Sequence, residues 1–151
     1  MTAAPPRGLL HPGALIAIGL LILNDHWLKD VYPGIITGKL SDFAGLAFFP
    51  LVLHGFWMLV IGRDYRRALS IACVLTAAAF AAVKTVPACH TAYEVGLGWL
   101  QFPFRALLGA TEPAKTRLEM DATDLVALPA VGLAWWWGRT SRQDALDSPR
   151  P

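Results

Sequence analysis

Residues 43–62 read FAGLAFFPLVLHGFWMLVIG. The run matches the roughly 20 mostly apolar residues that a helix needs to cross the hydrocarbon of a bilayer. Its only strongly polar residue is His54. A single histidine at that depth more commonly bonds to a neighbouring helix than relays protons. Pro50 sits inside the run. In water it would argue against a helix, but in a membrane bundle it is tolerated as a kink.

Three further segments read in the same way. Residues 68–88, ALSIACVLTAAAFAAVKTVPA, are rich in small side chains, which suits close helix packing in lipid. Residues 9–28 are apolar as far as Leu23 and polar in their outer third. Residues 122–138, ATDLVALPAVGLAWWWG, contain Pro129 and end in Trp135, Trp136 and Trp137, the pattern of an aromatic belt at a membrane interface. The predicted fold is therefore an all-α, polytopic integral membrane bundle. It has about four transmembrane helices in a single domain over residues 1–138, followed by a polar, disordered cytoplasmic tail over 139–151.

The composition agrees. Of the 151 residues, 55% are hydrophobic and 16% charged, and the mean hydropathy is +0.46. Soluble domains run at about 45–50% apolar and about 25% charged. The net charge of +2 is too small to indicate a nucleic-acid partner. Cys73 and Cys89 are expected as unpaired thiols, since on one continuous helix they would stand roughly 24 Å apart. The stretch after Arg7 resembles a signal peptide, but no small-residue cleavage site follows it, so a retained anchor is expected.

Arginines set the predicted orientation. Arg7, then Arg63, Arg66 and Arg67 in RDYRR, then Arg139, Arg142 and Arg150 share one side of a four-span chain, which is expected to be cytoplasmic. Both termini are then cytoplasmic in a multi-pass protein of a cell (inner) membrane. One stretch, residues 95–110 (VGLGWLQFPFRALLGA), invites a fifth span. A central Arg105 costs about 2.5–3.5 kcal/mol on insertion scales. Residues of about 91–108 are therefore expected as an interfacial amphipathic or re-entrant segment, with Trp99, Phe102 and Phe104 in the headgroup layer.

The polar residues gather at the outer ends of the spans. From an entry at Leu9, Asn24 and Asp25 lie about 23 Å along a helix in hydrocarbon about 30 Å thick. Asp25 and Lys29 share a helix face, as do His26 and Asp30. Lys39, Ser41 and Asp42 stand at the predicted mouth of the second span, Lys84 and Thr85 near the outer end of the third, and Asp124 at the start of the fourth. Taken singly, each has a structural explanation. Lysines snorkel to the surface, Asp42 and Asp124 favour helix N-termini, and Ser41 and Thr123 suit N-caps. Taken together they outline an outward-facing polar pocket.

Asp25, Asp42, Lys39 and Lys84 are its catalytic candidates, with an aspartate as general base and the lysines stabilising negative charge. Asn24, Lys29, Arg105 and Asp124 are candidate substrate-binding residues. The cations suit a lipid or phosphate headgroup. His26, His90 and Glu94 are weak metal candidates, without HExxH, CxxC or tandem-aspartate spacing, and the sequence assigns no cofactor. Thr37-Gly38-Lys39 is not a phosphate-binding loop, because its first glycine is displaced and Leu40 stands at the Ser/Thr position. No elbow motif supports Ser41 with His26 or His90 as a nucleophile pair.

Three function classes follow. The first is a small, bacterial-type polytopic membrane protein with an outward pocket that binds or processes a lipid-linked or phosphorylated substrate. The second is a non-catalytic accessory subunit of a larger membrane complex. The third is a small transporter component, which would need to form homo-oligomers. No reaction is named by any of these residues.

Overall fold

The computed structural model describes residues 7–32, 34–61, 67–115 and 118–147. Of the orientation-setting arginines, Arg63, Arg66 and Arg150 lie outside the described residues, and only the backbone is described for Arg7 and Arg142. The fold is all-helical, with no strand among the described residues. A 3₁₀ turn, Arg7–Leu10, precedes helix α1, Pro12–Leu23. Helix α2 is Ile35–Ile61, α3 is Ala68–Thr85 and α4 is Pro87–Leu107. A second 3₁₀ turn, Ala122–Ala127, leads to α5, Ala130–Asp147. The chain forms two compact units, one of Met1–Ala77 with Val126–Pro151 and one of Ala78–Leu125.

In the first unit α2 packs against α1 and against α5. The core is Ala14, Leu51, Leu69, Cys73 and Ala134, with Leu9, Phe48, Val131 and Trp137 around it. Small residues make these approaches possible. A Cβ at Gly13 would fall inside the Trp137 indole, and one at Gly138 would meet Leu69 and Leu51. The Trp137 ring also stacks on His11 (5.5 Å between centroids, 18° between planes). His11 is the N-cap of α1, its Nδ1 accepting the Gly13 amide at 3.0 Å. Pro50 is fully buried and α2 runs through it without interruption.

Large apolar side chains point outward instead. Phe49 is 61% exposed, Phe56 62% and Leu59 81%. Two helical stretches, Ile36–Ile61 and Ala68–Thr85, are long and apolar enough to cross a membrane, and only 33% and 28% of them is buried. A core helix of a soluble protein would bury most of such a surface.

Several predicted boundaries move, each for a local reason. Helix α1 continues through a π-helical turn, Asn24–Leu28, into a short α turn, Lys29–Val31. Lys29 N–H reaches Asn24 O, five residues back, while the backbone at Leu23, Leu28 and Lys29 stays in the right-handed helical region. Helix α2 begins at Ile35 rather than Phe43. Thr37 holds this start, its hydroxyl donating to the carbonyls of Tyr32 (3.0 Å) and Gly34 (2.9 Å). Ser41 therefore lies inside a helix and is not its N-cap.

The third segment stops at Thr85 and not at Ala88. Val86 is extended (φ −111°, ψ 113°), as the residue before a proline prefers. Cys73 and Cys89 thus occupy different helices, and both are free thiols. The fourth segment is split at Pro129, where turn bonds Val131 N to Leu128 O (3.0 Å) and Gly132 N to Pro129 O (2.9 Å) separate the 3₁₀ turn from α5. Asp121 caps that turn by accepting the Thr123 amide (2.8 Å) and hydroxyl (2.7 Å), so the capping role expected of Thr123 belongs to Asp121. Beyond Arg139 the expected disordered tail is helical to Asp147. No proline or glycine occurs before Pro149 to stop it.

In the second unit α4 spans the stretch expected at the interface. It closes with a Schellman arrangement: Ala110 N bonds to Arg105 O and Gly109 N to Ala106 O, both at 3.0 Å. Gly109 takes φ +95°, a conformation glycine adopts without strain. One side of α4 meets the following loop, where Gly98 lies against the Ala114 carbonyl and a Cβ would collide. The other side carries Leu100, Phe104 and Leu107, all strongly exposed.

Candidate functional site

The polar residues of the first unit centre on the π-helical turn. Asn24 is completely buried. Its Nδ2 donates to the Thr37 carbonyl and to Ser41 Oγ, each at 2.6 Å. Ser41 Oγ donates onward to Asp25 Oδ1 at 2.6 Å. Lys29 Nζ pairs with the same oxygen at 2.7 Å, as the four-residue spacing predicts. The network therefore runs from a buried amide to a half-exposed ion pair (42% and 41% for Lys29 and Asp25). Asn24 Oδ1 is buried without a hydrogen-bond partner. An unmet buried acceptor costs about 1–3 kcal/mol, and π turns recur at functional sites.

Lys39 and Asp42, half-buried, stand three apart on α2, in helix already formed and not at its mouth. Three-residue spacing makes them neighbours on the helix surface. His26 is exposed in the π turn.

In the second unit Lys84 is buried (5% exposed) and does not snorkel. Its Nζ lies 2.5 Å from Asp124 Oδ2 and 3.4 Å from the Glu119 carbonyl, with the Phe80 ring 5.7 Å away. Near the start of α4, His90 Nδ1 lies 3.3 Å from the Val83 carbonyl and Nε2 lies 3.6 Å from Glu94 Oε1. A carbonyl only accepts, so Nδ1 carries a proton in this contact. Glu94 Oε1 also accepts the Leu118 amide at 3.1 Å, which fastens the loop to α4. Arg105 is exposed near the C-terminal end of α4. Among the described residues no group of three or more His, Cys, Asp or Glu is placed to hold a metal ion.

The fold thus joins Asn24, Asp25, Lys29 and Ser41 in one network, and Lys84 with Asp124 and His90 with Glu94 in the other unit. Sequence reasoning missed the parts played by Thr37 and by the π turn. The polar word NDH directly after an apolar run was the available signal. Chemically, the first network presents a carboxylate, an ammonium and an unmet amide oxygen at one helix turn. The second holds a neutralised buried pair. No protein-family model matches the chain, and neither does any curated protein or solved structure.

Proposed function

We propose that this chain is a multi-pass integral membrane protein whose outward end carries a binding site for a lipid-linked or phosphorylated substrate, built on the turn between α1 and α2. Four membrane-crossing segments with cytoplasmic termini are part of this reading. Its support is the exposed apolar surface of α2 and α3. The uninterrupted helical path from Pro12 to Val31 adds to it, at about 30 Å by helical rise. Helix α4 then lies along the outer interface, its apolar side toward lipid.

The observation that carries the binding site is Asn24. A wholly buried amide bonded across two helices, with an acceptor left over, is costly in an apolar setting. Ionisable and polar groups inside membrane segments are functional by default. Lys29 at the surface and Lys39 on α2 supply positive charge for a phosphate. If the site is catalytic, Asp25 or Asp42 is the general base.

A second reading, an accessory subunit of a membrane complex, is favoured by Lys84–Asp124 and by Glu94 on the Leu118 amide. Both use charge to hold the fold. Growth or activity of a strain that depends on this protein separates the two. Under the binding reading, Asp25→Asn and Asp42→Asn insert normally and lose function. Full function in both, with loss only in variants that fail to accumulate, would leave the accessory reading.

A further inference from the structure

Helix α5 passes the start of α3 in the first unit, and a cluster of exposed donors forms where they meet. Gly138 of α5 lies against Leu69 of α3, where a Cβ would come within 2.6 Å of Cδ2. Trp135 Nε1 donates to Ser70 Oγ at 3.3 Å. The Arg139 guanidinium lies 4.4 Å from the Trp135 ring centroid. Arg67 stands directly before α3, its carbonyl accepting the Ile71 amide at 2.8 Å. It therefore shares a helix face with Ser70, three residues on. Arg67, Ser70, Trp135 and Arg139 are all exposed.

The chemistry of these side chains is one-sided. Stacking on the indole occupies a face of the Arg139 guanidinium and leaves its N–H edge free. Ser70 Oγ accepts from Trp135, and among the described residues nothing accepts the Ser70 O–H. Among the described residues no carboxylate pairs with Arg67 or Arg139. Lys29 and Lys84, by contrast, are matched by Asp25 and Asp124. The sequence adds Arg63 and Arg66 just before Arg67, against the single acid Asp64, and Arg142 one turn after Arg139. Two guanidinium forks and a hydroxyl donor are complementary to a phosphate.

The apolar surroundings select a lipid over a soluble phosphate. Helix α5 turns from apolar to polar between Trp137 and Arg139, and Trp135 and Trp136 are 38% and 57% exposed. Exposed tryptophans at such a boundary mark the headgroup layer. Val74, one turn along α3 from Ser70, is 67% exposed and apolar. Basic groups between membrane helices on the cytoplasmic side are a recurrent setting for anionic headgroups. We propose that Arg67, Ser70 and Arg139 bind the phosphodiester of an anionic phospholipid, with an acyl chain along Val74. A headgroup that also carries an ammonium brings a positive charge to two arginines and is disfavoured. The site takes its membrane placement from the reading above and is independent of the outward site.

The test is titration of the purified full chain, in neutral detergent, with short-chain phosphatidylglycerol and phosphatidylcholine. Phosphatidylglycerol is expected to bind about ten-fold tighter, the size of one like-charge contact near a protein surface. Arg139→Gln and Ser70→Ala, both at exposed positions, should each weaken its binding several-fold. Arg139→Lys keeps the charge but loses the fork and the ring stack, and should also weaken it. Lys115→Gln removes the same charge from an exposed loop position and should change nothing. Equal affinity for the two lipids overturns the proposal. So does unchanged binding in Arg139→Lys, or an equal loss in Lys115→Gln, since either means that net charge alone is sensed. Free glycerophosphate binding as tightly as the lipid would assign the cluster to a soluble anion and overturn the lipid site. Release of the unaltered protein from membranes by alkaline carbonate would overturn the membrane reading and this site together. Equal lipid affinity in a protein that stays in the membrane would remove this site alone.

Discussion

Lys84 and Asp124 pose the sharpest question at the scale of the residue. Two charges out of water attract strongly, yet each loses its hydration, and the net gain of such a pair over an apolar replacement is small. Removing one partner is different, because it strands the other. Lys84→Met should therefore destabilise the protein by about 3–5 kcal/mol. Lys84→Met combined with Asp124→Leu should recover most of that loss. Thermal unfolding of the three proteins in one detergent reads the difference. A double variant no better than the single would mean that Lys84 is needed for more than its pair. Glycine gives a second comparison. Gly13→Ala drives a methyl into the Trp137 indole and should lower the melting temperature, whereas Gly19 has open space and Gly19→Ala should not. An alanine at Gly19 is favoured by about 0.5–1 kcal/mol within a helix. Equal behaviour of the two variants would contradict the packing of α1 on α5.

At the scale of the element, α4 divides its surface between loop and exterior. Glu94 and Gly98 face the loop, while Leu100, Phe104 and Leu107 face out. Spin labels at Leu100→Cys and Leu107→Cys, in a background without Cys73 and Cys89, should be relaxed by oxygen dissolved in lipid. A label at Glu112→Cys, exposed in the loop, should respond to a water-soluble relaxant. Equal response to the aqueous agent along α4 would remove the interfacial placement.

The same element shows what a sequence can and cannot reveal. Its existence followed from an apolar run with Arg105 near the middle. Its start at Pro87 followed from nothing so simple, because α3 read as one run to Ala88 until Val86 is seen extended before the proline. Boundaries set by a single backbone turn are poorly marked by hydropathy. The π turn is a case in point, since its one extra residue per turn leaves no trace in composition. Contacts divide in the same manner. Asp25 with Lys29 was legible from spacing. Lys84 with Asp124, and Glu94 with the Leu118 amide, join residues 40 and 24 apart in the chain, and no local pattern encodes such pairings. Asn24 could be named as polar and deep, but its bonds to Thr37 and Ser41 depend on α2 starting early.

At the scale of the whole molecule, threading through the membrane is the property on which the outward site depends. In the proposed threading, residues 63–67 and both termini are cytoplasmic, because arginines lie near those ends of the apolar segments. The structure determines which positions can test it. Ser141 is buried and its hydroxyl donates to the Trp137 carbonyl at 2.9 Å, so it is a poor place for a probe. Arg139, two residues earlier on α5, is exposed with its guanidinium 4.4 Å from the Trp135 ring. Lys115 is exposed in the loop after α4. In a chain without native cysteines, a membrane-impermeant thiol reagent applied to intact cells should modify Lys115→Cys and spare Arg139→Cys. Opening the cells should make both reactive. Labelling of Arg139→Cys alone from outside would mean either an inverted protein, with the Asn24–Asp25 turn toward the cytoplasm, or a further crossing at residues 95–110, where an arginine, a glutamine and a proline interrupt a stretch otherwise apolar enough to cross. Labelling of both from outside would require an odd number of crossings between Arg67 and the C-terminus and none between Lys115 and Arg139. The segment to re-examine would then be residues 122–138, which is split at Pro129.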